Sequence, residues 1–417
     1  MTFRFVHTAD LHLDSPLVSL ALRNPDLAAE LGTATRMAVT RIVDLCLAEA
    51  VDALLIAGDL WDGSQTSAKT PRFLKQELGR LSDAGIRVFL IRGNHDAASK
   101  IRKELELPPG TTLFGTKAGT EQFEADGQMI AVHGVSFGEG AVPESLLPHY
   151  PAPVPGAFNI GLMHTSLNGS ASHDVYAPCR VGDLDAHGYD YWALGHIHKR
   201  SVHEGRASVV MPGIPQGRDI GEAGACSVTL ATLGTDGRLH LEARTVAALR
   251  FERVAVDMAG LADWSGAVAA LAGAVRAAGT AARAEDHLVL RLVLVGGTPL
   301  AFRIARDLDR LMQEAIAVAE GLAGVWIDKV ENRTKAEGNG GSSLPADLVR
   351  IVCNDLPGDA GFLAALMAAA DEVTAELPAE VRGLLGDDAA AVEAACRDLL
   401  AEGTAALLPR LTMGEPG

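Results

Sequence analysis

Five short polar segments, each placed just after an apolar run, constrain this chain more than any other feature of it. The runs Phe3 to Thr8, Ala53 to Ala57, Ile86 to Ile91, Ile160 to Met163 and Tyr191 to Leu194 lead into Asp10-Leu11-His12, Gly58-Asp59-Leu60-Trp61-Asp62, Gly93-Asn94-His95-Asp96, His164 and Gly195-His196-Ile197-His198. Helix-like stretches, Ala34 to Glu49 and Pro71 to Ala84, separate the early runs, which is the pattern of buried strands joined by crossover helices. Side chains at the carboxyl ends of successive strands converge in α/β folds, so the five segments predict one site. Further runs at Met129 to Val135, Val209 to Met211 and Ser227 to Leu233 are closely spaced with fewer helices between them. That spacing predicts two facing sheets flanked by helices rather than an open parallel sheet.

The residue types have a chemical logic. Imidazoles, carboxylates and one amide oxygen form a mixed nitrogen and oxygen donor set suited to first-row divalent ions, and without thiolates a soft-metal site is disfavoured. The D-x-H and H-x-H spacings put two side chains on one side of an extended segment. A carboxylate following a strand, Asp59, can bridge two cations, and a pair roughly 3.5–4 Å apart clamps the attacking and leaving oxygens of an in-line phosphoryl displacement. Gly58, Gly93 and Gly195 let the backbone turn sharply beside such ions.

In this order the D-x-H, GD-x-x-D, GNHD, lone His and GH-x-H segments resemble the calcineurin-like metallophosphoesterases, over roughly residues 1–240. The resemblance implies a layered α/β/β/α sandwich holding two divalent cations, most often Mn²⁺. Asp10, His12, Asp59 and His198 would hold one ion; Asp59, Asn94, His164 and His196 would hold the other. His95 matches the histidine that contacts the scissile phosphate and assists the leaving group, a task suited to an imidazole because it titrates near working pH. The stretches HTADLHLDSPL, GDLWDG, YDYWALGHIHKR and PGIPQGRDIGEAG are similar to SbcD-type DNA-repair exonucleases, most of all the YhaO branch, with Trp61 where phenylalanine is usual. That similarity implies 3′→5′ exonuclease action with endonuclease side activity at DNA ends. It also implies a small capping domain that steers DNA and a helical C-terminal region that docks on an SMC-like ATPase of the Rad50 type.

The rest of the chain fits such an arrangement. A length of 417 residues predicts two or three domains. From about Thr245 a strand, helix, strand, helix, strand series (Phe251 to Met258, Leu261 to Ala278, His287 to Val295, Ala301 to Ala319, Gly324 to Glu331) predicts a small α+β domain. The reading is residues 1–244 for the phosphoesterase core, 245–335 for the capping domain, 336–344 for a flexible linker and 345–417 for the helical segment. In the last of these Phe362, Leu366, Ala369, Val373 and Leu377 recur at helical spacing. The net charge of −17 weighs against a polyanionic substrate, but 13 Asp/Glu and only 4 Arg fall between Pro345 and Gly417, so much of the excess belongs to the tail.

Five scattered cysteines make no C-x-x-C pair, and neither a disulfide framework nor a zinc ribbon is expected. No run approaches the roughly 18 apolar residues of a membrane helix and the start lacks the layout of a secretory signal, which predicts a cytoplasmic protein without membrane contact. Arg218 is a candidate phosphate-binding residue, with a structural salt bridge as the competing role, and Lys199 and Arg200 would add positive potential. His7 and His133 read as satisfied core or turn residues, Asp14, Asp62 and Asp96 as turn or cap residues, and His173 as a loop residue for which lining the cleft is the minority reading. Two functions stay open on these residues: a DNA exonuclease, and a phosphatase or cyclic-nucleotide phosphodiesterase using the same site. A homodimer is also left open.

Overall fold

The structure is a computed structural model that describes residues 2–15, 32–61, 69–98, 106–168, 176–281, 284–336, 350, 351, 355–376, 386 and 389–411. The expected linker beyond Ala336, Asp62, His173 and Leu377 lie outside the described residues. It divides into two units, one of residues 1–253, 281–290 and 324–328, the other of residues 254–280, 291–323 and 329–417.

In the first unit β1 (Phe3–Thr8) pairs parallel with β2 (Ala53–Ala57), which pairs parallel with β3 (Arg87–Ile91), and β3 with β4 (Thr111–Leu113). On the other side of β1 come β11 (Val228–Leu233) and β12 (Leu239–Arg244), both antiparallel, giving the order β12-β11-β1-β2-β3-β4. The second sheet has the order β5-β6-β7-β8-β10-β9, from β5 (Gly119–Ala125), β6 (Gln128–Gly134), β7 (Phe158–His164), β8 (Tyr191–Gly195), β9 (Ser201–Glu204) and β10 (Ser208–Met211).

The alternation of strand side chains builds three layers of core. Phe5, Leu55, Phe89 and Ile91 face inward and meet Ile130, Val132, Ile160, Leu162, Tyr191 and Val210 of the second sheet. Their neighbours Val6, Leu54, Ile56, Val88 and Leu90 face outward, where Ile42 and Val43 of α1 (Ala34–Ala48) and Leu74, Leu78 and Leu81 of α2 (Lys69–Asp83) cover them. On the far side Met163, Trp192, Leu194 and Val209 pack with Tyr150, Tyr189 and Leu184. Each such side chain contributes roughly 1.5–3 kcal/mol on burial. The result is the expected α/β/β/α sandwich. Strands β4, β5, β9 and β12 have no counterpart in the sequence reading; β4 has three residues, β5 has three successive exposed positions, and β9 and β12 largely alternate half-buried with exposed positions instead of forming apolar runs.

Beyond β12 follow β13 (Leu249–Asp257), α3 (Trp264–Thr280), β14 (His287–Val295), α4 (Ala301–Arg306), α5 (Leu308–Glu320) and β16 (Val325–Asn332), with short strands β15 (Gly297–Thr298) and β17 (Lys335–Ala336) pairing together. The long strands form a sheet in the order β13-β14-β16. The single helix expected over Ala301 to Ala319 is broken at Asp307, whose backbone leaves the helical region with φ −105° and ψ 29°. Ala248, Leu249, Phe251 and Val289 are buried with Ala34 and Ile220 in the first unit. The tail contains α6 (Ala360–Glu376) and α7 (Ala389–Leu411), where Phe362 is 36% and Val373 63% exposed and Leu366 is half-buried. No helix among the described residues is long and apolar enough to cross a membrane.

Candidate metal centre

The loop after β1 runs alongside the loop after β2. Asp10 N–H donates to Gly58 O (2.9 Å), His12 N–H to Asp59 O (3.1 Å) and Leu13 N–H to Leu60 O (2.9 Å). This pairing carries Asp10, His12 and Asp59 into the left-handed region, with φ of 54°, 40° and 54°, and His196 follows at 98°. Non-glycine residues there cost of order 1–3 kcal/mol each and persist only where the surroundings over-determine them.

Those surroundings are visible. Both oxygens of Asp10 accept His196 N–H (3.1 and 3.0 Å), and Asp59 Oδ1 accepts His95 N–H (3.0 Å). Asp96 accepts from Leu60 N–H (2.8 Å) and Gly93 N–H (3.0 Å), fastening the second segment to the third as a cap-like residue. Burial and the charge of Asp59 push the Asp96 pKa up to about 7. Gly58 has φ 95° and a Cβ there would lie 2.6 Å from His164 Nδ1, while a Cβ on Gly93 would run into Asp59 Oδ1.

Three groups of donor atoms converge: Asp10, His12 and His198; His12, Asp59 and His95; Asp10, Asp59 and His164. Asp10, His12, Asp59 and His164 are 0–1% exposed, an arrangement of carboxylates and imidazoles too costly to bury without compensating charge. His164 Nδ1–H donates to Ala57 O (2.9 Å), which leaves Nε2 facing Asn94 Oδ1 at 2.9 Å and Asp59 Oδ2 at 3.4 Å. His12 Nε2 faces His198 Nε2 at 3.3 Å. In both places the facing atoms need a proton or a cation between them, and a divalent cation can take the place of the proton. Nitrogens 3.3 Å apart can share an ion held at about 2.1 Å from each, so the residues present fit divalent ions. Burial alone would lower the His164 pKa, but Asp59 outweighs it and holds the value at about 9. Burial also opposes ionisation of Asp59, yet His164, His12 and His95 keep its carboxyl well below the usual range.

His196 lies beside these groups without belonging to any of the three, its ring 5.2 Å from that of His164 and 5.5 Å from that of Tyr176. His95 is half-buried with its ring 5.0 Å from that of His12. All seven expected ligands and His95 therefore gather at one place. Arg218 lies at the same edge, but its guanidinium grips Glu222 (Nη2 to Oε1, 2.7 Å) and lies 3.4 Å from His198 Nδ1. Glu222 itself accepts from His198 Nδ1 at 2.7 Å. Sequence reasoning passed over this residue; the only signal is an acidic side chain four positions after Arg218, beside a motif otherwise read as phosphate-binding.

The other polar residues have structural partners. His7 is fully buried between Tyr191 OH (2.9 Å) and Leu194 O (3.1 Å), and burial lowers its pKa to about 3. His133 lies between Thr120 Oγ1 and Asn159 Oδ1, inside a strand rather than at a turn. Asp14 forms a two-pronged ion pair with Arg36, and Arg200 donates to Thr229 Oγ1 (2.6 Å).

Residues 3–200 match the family model described as calcineurin-like phosphoesterase, and residues 251–335 match that of the metallophosphoesterase YhaO middle domain. The chain is similar to the uncharacterized metallophosphoesterase YhaO of Bacillus subtilis, 36% identical over 257 residues, 61% of this chain and 63% of that one. It is similar to the DNA double-strand break repair protein Mre11 of Sulfurisphaera tokodaii, 26% identical over 48% of this chain and 50% of that one. It is also similar to a subunit of the nuclease SbcCD of Bacillus subtilis, 27% identical over 54% and 65%. The chain spans less than two thirds of the length of these relatives.

Proposed function

Since residues 3–200 are a calcineurin-like phosphoesterase domain, we propose that the protein is a metal-dependent phosphodiesterase that degrades DNA from its ends, 3′→5′ and with endonuclease side activity, in repair. The observation that carries the hydrolytic part is the convergence of buried carboxylates and imidazoles, His12 beside His198 and His164 beside Asn94 and Asp59. The nuclease part is supported by relatives named as a double-strand break repair protein and as part of a nuclease.

Two divalent cations, Mn²⁺ in the first instance, supply Lewis acidity and a nucleophile at neutral pH when bound. Asp10, His12, Asp59 and His198 would hold one, and Asp59, Asn94, His164 and His196 the other, with Asp59 shared. The backbone contacts to Asp10 and Asp59 and the Asp96 clamp keep those donors in place before substrate arrives, so little reorganisation accompanies reaction. His95, the half-exposed member, contacts the scissile phosphate and passes a proton to the leaving oxygen. Residues 245–335 act as the cap that steers DNA, residues 336–344 as a linker, and the helical segment 345–417 docks an SMC-like ATPase of the Rad50 type. Arg218 borders the centre as a contributor to phosphate binding.

The deciding experiment compares Mn²⁺-dependent nucleotide release from duplex ends with turnover of phosphomonoesters and cyclic nucleotides. Efficient release from duplex ends is expected. Preference for the small substrates would instead make the protein a phosphatase or cyclic-nucleotide phosphodiesterase.

A further inference from the structure

We propose that Glu222 is a positioning residue of the centre, fixing the ring of His198 so that Nε2 points at the metal donors, and that Arg218 holds Glu222 in that pose. The inference rests on the metal-dependent reading above.

Glu222 Oε1 lies 2.7 Å from His198 Nδ1 and accepts its N–H, which leaves the lone pair of His198 on Nε2, the atom 3.3 Å from His12 Nε2. The same oxygen accepts from Arg218 Nη2 at 2.7 Å, and Oε2 accepts from the Arg218 backbone N–H at 2.7 Å. With Arg218 Nε 3.2 and 3.3 Å from the two oxygens, the carboxylate is gripped from several directions and its charge is balanced. It therefore acts through the imidazole.

The backbone holding Glu222 is as constrained as its side chain. Glu222 ends a short 3₁₀ turn, Ile220–Glu222, in which Asp219 accepts Gly221 N–H on Oδ1 at 2.6 Å and Glu222 N–H on its backbone oxygen at 3.1 Å. Ile220 is buried with Phe251, and Gly224 N–H donates to Phe251 O at 2.8 Å, so both ends of the turn are anchored. The sequence from Arg218 to Glu222 thus aims one carboxylate at one histidine. A carboxylate behind a ligating histidine sets its tautomer and orientation, and its loss typically costs about 10–100-fold in metal affinity.

The test uses the full chain with Mn²⁺ as probe. Calorimetric titration of metal-free protein should show two sites in the wild type. Glu222→Ala should weaken one of them about 10–100-fold while the other is unmoved, and Glu222→Gln, which keeps an oxygen acceptor, should recover most of the loss. Ring nitrogen shifts of His198 in the metal-free protein should report a single Nδ1–H tautomer in the wild type and a mixture in Glu222→Ala. Should Glu222→Ala fail to fold, the same two measurements on Glu222→Gln decide, a small loss confined to one site being expected. Unchanged affinity at both sites, equal loss at both, or an unaltered His198 tautomer would overturn the proposal. A wild type that takes up no Mn²⁺ would remove the metal-dependent reading and this inference with it; two bound ions with an indifferent Glu222 would remove this inference alone.

Discussion

Both carboxylate oxygens of Asp10 accept the backbone N–H of His196, a residue 186 positions later in the chain. The first polar segment thereby sets the backbone of the last, and Asp10 serves the centre both as a charge and as a strut. The two roles separate by substitution. Asp10→Asn retains an oxygen for His196 N–H and should melt near the wild type without metal while binding Mn²⁺ poorly. Asp10→Ala loses the strut as well and should cost a further ~1–3 kcal/mol in metal-free stability, since the His196 N–H is left buried without that acceptor. Thermal unfolding without metal, paired with Mn²⁺ titration, checks both.

Asp59 is the shared donor of the proposed pair. Asp59→Asn should lower occupancy at both sites and abolish hydrolysis, because weakening the common charge loosens the whole clamp. Gly93→Ala should reproduce part of that loss, as its Cβ meets Asp59 Oδ1. Gly79→Ala, in α2 with open space around it, should leave metal binding alone and stabilise by about 0.4–1 kcal/mol. Elemental analysis after dialysis distinguishes these; two retained Mn²⁺ in Asp59→Asn would end the bridging assignment.

His95 is proposed to handle a proton rather than an ion. His95→Asn should keep both ions and lose roughly 10²–10⁴-fold in the chemical step. Loss of metal in that variant would instead place His95 among the ligands, a result its closeness to His12 and Asp59 makes worth measuring.

His7 gives a pH dependence with a definite sign. Its folded-state pKa of about 3 lies below the ordinary 6.5, so the unfolded chain binds a proton that the native chain refuses. Its contribution is fully present above pH 6.5 and is lost as pH falls from there toward 3, at roughly 1.4 kcal/mol per pH unit. Nuclear magnetic resonance of the metal-free protein should find the His7 ring neutral at pH 5; a protonated ring at that pH would contradict the assignment.

The helical tail offers Phe362 and Val373 to solvent and leaves Leu366 half-buried, so the fold is expected to accept charge at these positions. Replacing Phe362 and Leu366 together by Asp should leave Mn²⁺-dependent hydrolysis intact and abolish association with the proposed Rad50-type ATPase. If the double variant unfolds or loses its own activity, the helix is part of the core and the docking proposal falls.

Much of the core was legible because five of the buried strands end in chemistry. Apolar runs such as Ala53–Ala57 carry the strand signal without alternation, and the polar residues after them stand out against that background. Strand β5, with Thr120, Glu121 and Gln122 around one buried Phe123, offers no such contrast and was missed. The break at Asp307 was equally hidden, because apolar spacing continues through it from Ile304 to Leu311. Glu222 was passed over because its role depends on a histidine 24 residues earlier, a relation that no local pattern records.

The order of strands also has a consequence for the newly made chain. Strands β1 to β4 are complete by Leu113, yet β11, which covers the open side of β1, comes only with Val228–Leu233, after the whole second sheet. A chain leaving the ribosome therefore exposes the hydrogen-bonding edge of β1 while more than a hundred further residues are synthesised, and unpaired edges of that kind recruit other chains. The last candidate ligand, His198, emerges before β11 does. The proposed ions would thus join the two sheets at their common seam while the first is still open, so Mn²⁺ supplied during synthesis is expected to raise the yield of folded protein.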